Sequence, residues 1–400
     1  MKAQDVVILG AARTPIGRYG GAFKDVHPAE LGAVAVRAAL RRAGVEAADV
    51  GEVIIGHGRQ AGSVPNPGRQ VGHRAGLPAA VPAHTVNMAC ASGLQAIVSG
   101  AQSILTGGAT VVVAGGIESM SRMPYLVDAS DARWGHKMGH FAFVDAMYRD
   151  GFADPLSGLI MGETAEVLAR EYWITRDQSD RFALESQNKA ERAIAAGHFA
   201  AEIAPVEVTS HGTSRSVAAD EHPRAGATLE GLARLPLTFP VVEGQPGIIT
   251  AGSASGITDG GAAVVLTSAA WAKQRGLRPW ARLTGWASAG VDPRLMGIGP
   301  VPALHKLEAH SGVRVADVDL VELNEAFAAQ VLAVLRDVPI APEKLNVNGG
   351  ALALGHPIGC TGTRLVVTLV HELRRRGAAT GIATLCVSGG MGMAMGIEAL

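Results

Sequence analysis

A segment near the N-terminus, AGVEAADVGEVIIG at 43–56, returns later in the chain as SGVRVADVDLVELN at 311–324. Gly44 corresponds to Gly312, the triplet Ala48-Asp49-Val50 to Ala316-Asp317-Val318, and Val53 to Val321, always 268 residues apart and without a gap. Constant register over fourteen positions reads as a duplication, so the fold must be built from two similar halves. Each copy reads as a helix that stops at its Gly, then an Asp, then a hydrophobic strand.

Carrying the register forward places Cys90, in NMACASG, on Ile358, two residues from His356 in GHPIGCTG. Both loops precede an amphipathic helix and a strand that ends in Gly-Gly. The first helix carries Leu94, Ile97, Ala101, Ile104 and Leu105 and stops at Gly107-Gly108, and its strand covers 110–114 before Gly115-Gly116. The second helix is expected over about 361–376 and its strand over 382–386, before Gly389-Gly390. Helices alternating with apolar strands predict crossover connections and mainly parallel sheets. Two halves related by a pseudo-twofold bring equivalent loops face to face, and with them Cys90 and His356. The intervening stretch, about 119–250, is more polar and weak in strand signal. A capping box from Thr175 to Gln178 opens a helix there that runs to about Gly197. Such an insertion is expected to cover the mouth of a site.

Composition narrows the function. Charged residues make up only 18 % of the chain and Gly 51 of 400 residues, which implies much buried surface and association of chains rather than disorder. A net charge of −1 supplies no electrostatic footprint for nucleic acid or an anionic membrane. Three cysteines do not make a disulfide framework, so a reducing cytoplasm is the expected compartment. The uncharged stretch 377–397 has the length of a membrane span, but five glycines after Gly377, Ser388 and two Thr read as buried strand plus turn. No zinc spacing, phosphate-binding glycine loop or GxSxG elbow is present. GSASG at 252–256, with Asp259-Gly260-Gly261 after it, reads as a loop.

Two of the three cysteines and one histidine sit in glycine-rich turns: Cys90, Cys386 in CVSGGMG, and His356. Two thiols and an imidazole are what a Claisen enzyme needs: one thiol carries the acyl group, a base activates it, and the second thiol moves a proton at carbon. Cys90 falls at a predicted helix start, where free N–H groups and the dipole should lower its pKa. His356, opposite it, is the base. Cys360 needs no role beyond being small. Asn324, in NEAF after a strand end, is placed to donate to an oxyanion.

With these residues in hand, the chain resembles the thiolases over nearly its whole length. The resemblance rests on ARTPIG (12–17), NMACASG, GGIESMS (115–121), TAGSASG (250–256), NEAFA (324–328), NGGALALGHPIGCTG (348–362) and CVSGGMG. It implies an α/β fold with a five-layer αβαβα core of two duplicated halves. The first half would take 1–118 and 251–275, a loop domain over the site 119–250, and the second half 276–400. Dimers or tetramers are implied, with coenzyme A thioesters as substrates and neither a tightly bound cofactor nor a metal. By the same resemblance Cys90 is acylated, His356 takes its proton, and Cys386 moves the α-proton. Asn324 through a water, with His356, forms one oxyanion hole, and the backbone amides of Cys90 and Ser388 the other. Ser255 would contact the pantetheine arm, Arg224 would lie near the adenosine end, and Met161, Ala326 and Phe327 would line the substrate site. The chain departs from the family pattern at Ser388, where Gly is frequent, and at Ser253, where Asn is usual. It departs again at Leu159-Ile160, in place of an aromatic-His pair, and at Gly231, in place of Ser. The implied activity is the reversible condensation of two acetyl-CoA to acetoacetyl-CoA. A 3-ketoacyl-CoA thiolase of broader chain length is the alternative. A non-catalytic acyl-CoA-binding protein is the reading from another class, and the presence of all three reactive residues speaks against it.

Overall fold

The computed structural model describes residues 1–210 and 212–400. Nine strands form one mixed sheet: β1 (Val6–Arg13), β2 (Glu52–His57), β3 (Ala83–Val86), β4 (Val111–Ser119), β5 (Thr258–Ser268), β6 (Ala281–Gly290), β7 (Leu320–Leu323), β8 (Thr380–Val387) and β9 (Met391–Ala399). A two-residue strand, Gly17–Arg18, adds to β5. Their order is β7-β8-β9-β6-β1-β5-β4-β2-β3, which mirrors itself about the β6–β1 seam. Thus β1, β5, β4 and β2 of the first half answer β6, β9, β8 and β7 of the second. The counterpart of β3 is reduced to one parallel bridge, Val321 to Leu345.

The duplication extends to the helices. Helix α1 (Pro28–Ala43) ends on Gly44 at φ 65°, and a second-half helix, Pro300–Ser311, ends on Gly312 at φ 74°. Both glycines adopt the left-handed conformation that closes a helix, as the repeat predicts. Helix α2 (Ser92–Leu105) answers the long helix Ile358–Arg376. These two pack on each other between the sheet halves, where Leu94, Ile97, Leu365 and Leu369 meet Val112, Val264, Leu385 and Met393. Outside the first half-sheet, α1 sets Val36 and Ala39 against Val7, Val113 and Val265. Outside the second, Leu304, Leu307, Val331 and Val334 cover Val321, Ile382 and Ala394. The result is the five-layer αβαβα arrangement.

Three local expectations are corrected. The sheet is not mainly parallel: only β2–β3, β2–β4 and β7–β8 are parallel, and the pairs from β4 through β5, β1, β6 and β9 to β8 are antiparallel. Strands buried on both faces carry no mark of direction, and β8 and β9 are joined by a three-residue hairpin, with Gly389 and Gly390 at φ 86° and 77°. Asp259-Gly260-Gly261 is not loop but the start of β5, since a Cβ on Gly261 would stand 2.7 Å from the Leu31 carbonyl of α1. Finally β4 runs through Gly115-Gly116 to Ser119, because a Cβ on Gly116 would lie 2.2 Å from the Gly359 carbonyl. That pair lets the start of the Ile358–Arg376 helix press onto the strand.

Residues 119–250 include two longer helices, Met161–Glu171 and Arg176–Ala195, two short ones, Ala129–Ala132 and Leu229–Ala233, and a hairpin, Val206–Ser210 with Thr213–Val217. Thr175 and Gln178 form the capping box on the second helix.

Candidate active site

Three structural elements carry the reactive groups to one cavity of about 320 Å³. Cys90 lies in a single tight turn, Ala89–Ala91, just before α2. Ala89 holds φ 44°, a left-handed conformation strained for a residue with a Cβ. His356 immediately precedes the Ile358–Arg376 helix, and Cys386 ends β8. All three line the cavity, together with Met161, Ser255, Ala326 and Phe327. Loop 250–256 is zipped to the NEAF segment: the Ser255 N–H donates to the Ala326 carbonyl at 3.0 Å, and Ala254 bridges Phe327. Ser253 stabilises that loop, its hydroxyl accepting the Thr250 N–H at 3.0 Å.

The tautomer of His356 follows from its neighbours. Thr361 donates its hydroxyl proton to the Pro357 carbonyl at 2.9 Å, so at 2.6 Å from His356 Nδ1 it can only accept. Nδ1 therefore carries the hydrogen, and Nε2 presents a lone pair, buried and without a hydrogen-bond partner. Burial first, then the charges of Arg364 and Arg59, push the imidazole down to about 3. His356 is a neutral imidazole with its base nitrogen free.

The thiols behave differently from the sequence expectation. Burial pushes Cys90 above the ordinary thiol range. The Arg59 charge and the backbone N–H groups of Ser388 and of Cys90 itself pull it back only in part. A helix start alone does not yield a low-pKa thiol here, because burial outweighs it. Burial, then the neighbouring Cys90, raises Cys386 far above the ordinary range. Cys360 is buried in the central core and pushed up to about 12. It stays a small core residue.

Asn324 does not line the cavity. It is fully buried at the end of β7, with neither side-chain amide atom hydrogen-bonded. Arg224 lines a second cavity of about 260 Å³ with Gln187, His222, Gly231 and Leu232. Ala251 and Gly252 line that second cavity while Ala254 and Ser255 line the first, so one loop borders both.

Sequence reasoning missed Arg59, Tyr148, Phe152, Phe239 and Met296, which also line the cavity. It also missed Glu118, whose Oε2 accepts the N–H groups of Gly58, Arg59 and Gly359 at 3.2, 3.2 and 2.9 Å. Its Oε1 lies 2.9 Å from His57 Nε2. Burial opposes this charge, yet His57, the Gly359 N–H and Arg59 together hold the carboxyl below the usual range. The only hint was position: Arg59 follows β2 and Glu118 ends β4, the strand ends where parallel-type connections collect ligands. Among the described residues no His, Cys, Asp and Glu cluster could hold a metal, and no helix is long and apolar enough to cross a membrane.

Known proteins match the chain over nearly its whole length. The descriptions Thiolase, N-terminal domain and Thiolase, C-terminal domain fit residues 6–270 and 277–399. The chain belongs to the thiolase family. This thiolase is 49 % identical to the acetyl-CoA acetyltransferase of Rhizobium meliloti over 400 residues, covering all of both chains. It is 49 % identical to that of Cupriavidus necator over 395 residues, 98 % of this chain and 99 % of the other. Among solved structures, the thiolase superposes on acetyl-CoA acetyltransferase of Bacillus anthracis with a TM-score of 0.95, at 46 % identity and 99 % coverage of each chain. Human mitochondrial 3-ketoacyl-CoA thiolase gives a TM-score of 0.94, at 41 % identity over the whole of both chains.

Proposed function

We propose that this thiolase is an acetyl-CoA C-acetyltransferase that interconverts acetoacetyl-CoA plus CoA with two acetyl-CoA through an acyl group on Cys90. The observation that carries the reading is the convergence of a free imidazole nitrogen and two unequal thiols on one cavity. In the thiolysis direction His356 Nε2 takes the Cys90 proton and the sulfur attacks the 3-keto carbon. The C2–C3 bond breaks, and its electron pair goes to C2. Cys386, a thiol whose raised pKa keeps it protonated, delivers a proton to C2, and acetyl-CoA leaves. CoA then gives its thiol proton to the Cys386 thiolate and attacks the acetyl carbonyl. Cys90 leaves, recovering its proton from His356. Condensation is the same sequence reversed.

Backbone N–H groups of Cys90 and Ser388 are the donors for charge developing on the thioester oxygen, each such donor being worth about 2.7–4 kcal/mol in related sites. Asn324 serves the second oxyanion by way of a water, Ser255 meets the pantetheine arm, and Arg224 serves the nucleotide end from its neighbouring cavity. A 3-ketoacyl-CoA thiolase is the second reading, favoured by the apolar wall of Phe152, Ile160, Met161 and Phe239. Steady-state thiolysis of acetoacetyl-CoA against 3-ketohexanoyl-CoA decides between them. A higher kcat/KM for acetoacetyl-CoA supports the first, and the reverse order the second.

A further inference from the structure

Arg364 and Asn324 are fully buried polar residues whose hydrogen bonding is unfinished. Arg364 lies in the second turn of the Ile358–Arg376 helix, and its Nη1 donates to Glu322 Oε2 of β7 at 3.0 Å. Its Nε and Nη2 are buried with no partner, as are Oδ1 and Nδ2 of Asn324. The two carboxylates that Glu322 feels, Glu202 and Glu325, are engaged elsewhere. Arg13 and Thr368 donate to the first; Ser186, Asn346 and the Leu352 N–H donate to the second. The topology sets the free atoms of Arg364 and Asn324 toward each other. Along β7, Val321 and Leu323 join the outer core while Leu320 joins the central one, so Glu322 faces the central helices. The parallel ladder of β7 with β8 continues one residue further, where the Asn324 N–H donates to the Thr384 carbonyl at 3.0 Å. Asn324 therefore stays on the face of Glu322, about 7 Å nearer the end of the sheet where Cys386 meets the cavity. Helical side chains lean toward the N-terminus of their helix, here the end that carries His356. The guanidinium thus leans from Glu322 toward Asn324, and its charge is the largest of those acting on His356.

Chemistry fixes the sense of that contact. A guanidinium has donors only, so it can serve the oxygen of an amide and never its NH₂. An Asn324 amide whose oxygen is held toward Arg364, directly or across a buried water, turns its NH₂ toward the cavity. That NH₂ is the group a developing oxyanion needs, whereas the flipped amide would set an oxygen against negative charge. Among the described residues no other hydrogen bond distinguishes the two ends of this amide. We infer that Arg364, held in place by Glu322, is a positioning residue that orients the Asn324 amide for the second oxyanion. The inference rests on the thiolase reading above and adds to its mechanism a residue that touches no substrate itself.

The test is a double-mutant cycle read on two half-steps. One is acetylation of Cys90 by acetyl-CoA, which uses the backbone amides of Cys90 and Ser388. The other is exchange of acetyl-CoA α-protons into deuterated water, which builds charge on the oxygen that Asn324 serves. Asn324→Ala should slow exchange about 100-fold, the loss of one oxyanion donor, and Arg364→Met about tenfold, since the amide remains but is no longer oriented. In Arg364→Met, Cys90 should be acetylated no more slowly than in the wild type, because removing a cation leaves His356 the better base. The double variant should exchange no more slowly than Asn324→Ala alone, with no amide left to orient. Arg364→Lys, again a donor only, should keep part of the exchange, and it carries the cycle with the same expected coupling if Arg364→Met does not fold. Losses that multiply in the double variant overturn the inference. So does an Arg364 variant that leaves exchange unchanged, or one that slows acetylation and exchange equally, as general damage to the site would. If Asn324→Ala slows exchange while the cycle shows no coupling, the place of Asn324 stands and only the role of Arg364 falls. If Asn324→Ala exchanges at the wild-type rate, the role of Asn324 fails and the inference with it. If the wild type neither acetylates Cys90 nor exchanges α-protons, the thiolase reading itself fails.

Discussion

Replacing Glu118 with Gln removes one charge from a closed region while keeping the shape of the side chain. Glu118 is fully buried, accepts three backbone N–H groups, and stands 2.9 Å from His57. Hydrogen bonds to a carboxylate are about twice as strong as neutral ones, so each of the three backbone N–H contacts loses roughly 0.5–1 kcal/mol. Together that is about 1.5–3 kcal/mol, or a fall in Tm of about 3–6 °C at ~2 °C per kcal/mol for a chain of this size. The pH dependence has a definite sign. The Glu118 pKa is depressed in the folded state, so its stabilisation is fully present above the unfolded carboxyl pKa and is lost as pH falls through the lower folded value. The gap in Tm between the wild type and Glu118→Gln should therefore be widest near neutrality and narrow in acid, as followed by thermal unfolding in buffers from neutral down to about pH 3. Catalysis should suffer as well, because the Gly359 N–H bound by Glu118 fixes the helix start three residues after His356. A loss of about tenfold in kcat corresponds to only ~1.4 kcal/mol of misplacement. An unchanged Tm, or a gap that stays constant with pH, would refute the reasoning.

Two further substitutions test the cavity and its frame. Ile160 caps the Met161–Glu171 helix and lines the cavity, whereas Leu159 does not, so Ile160→His should shift the kcat/KM ratio from 3-ketohexanoyl-CoA toward acetoacetyl-CoA. At ~0.8 kcal/mol per buried methylene the change is several-fold, and an unchanged ratio in the folded variant removes Ile160 from specificity. Gly116→Ala would place a Cβ 2.2 Å from the Gly359 carbonyl and should cost about 1–3 kcal/mol in urea unfolding together with a drop in kcat. Gly107→Ala, with φ 77° but open space around it, should cost about 1–2 kcal/mol and leave kcat alone. Equal kcat values in these two variants would contradict the coupling of β4 to the His356 loop.

The duplication was legible because it is local and periodic: Gly44 and Gly312 stop equivalent helices, and Val53 and Val321 open equivalent strands. The apposition of Cys90 and His356 followed from that register alone. Strand direction did not, since Val111–Ser119 and Thr258–Ser268 are buried along nearly their whole length and lack the alternation that marks an exposed face. Glycines misled for a related reason. In Gly115-Gly116 and Gly260-Gly261 they permit close approach of a helix or loop within a strand, where the sequence pattern suggests a turn. The raised Cys90 thiol depends on its burial in a cavity walled by Phe152, Ile160 and Phe239 from distant segments. Beyond its position after β2 nothing in the sequence marked Arg59, because its carbonyl partners lie more than ninety residues away at Asp150 and Gly151.

The central claim is that Cys90 carries the acyl group and Cys386 moves the proton. It is tested most directly with Cys386→Ser incubated with acetyl-CoA, quenched in acid, and mapped by peptide mass spectrometry. The account predicts one acetyl group per chain on the peptide holding Cys90, formed without exchange of the acetyl α-protons into deuterated water, and absent from Cys90→Ser. An acetyl group on Cys360, or a Cys386→Ser chain that fails to acylate while remaining folded, would contradict it.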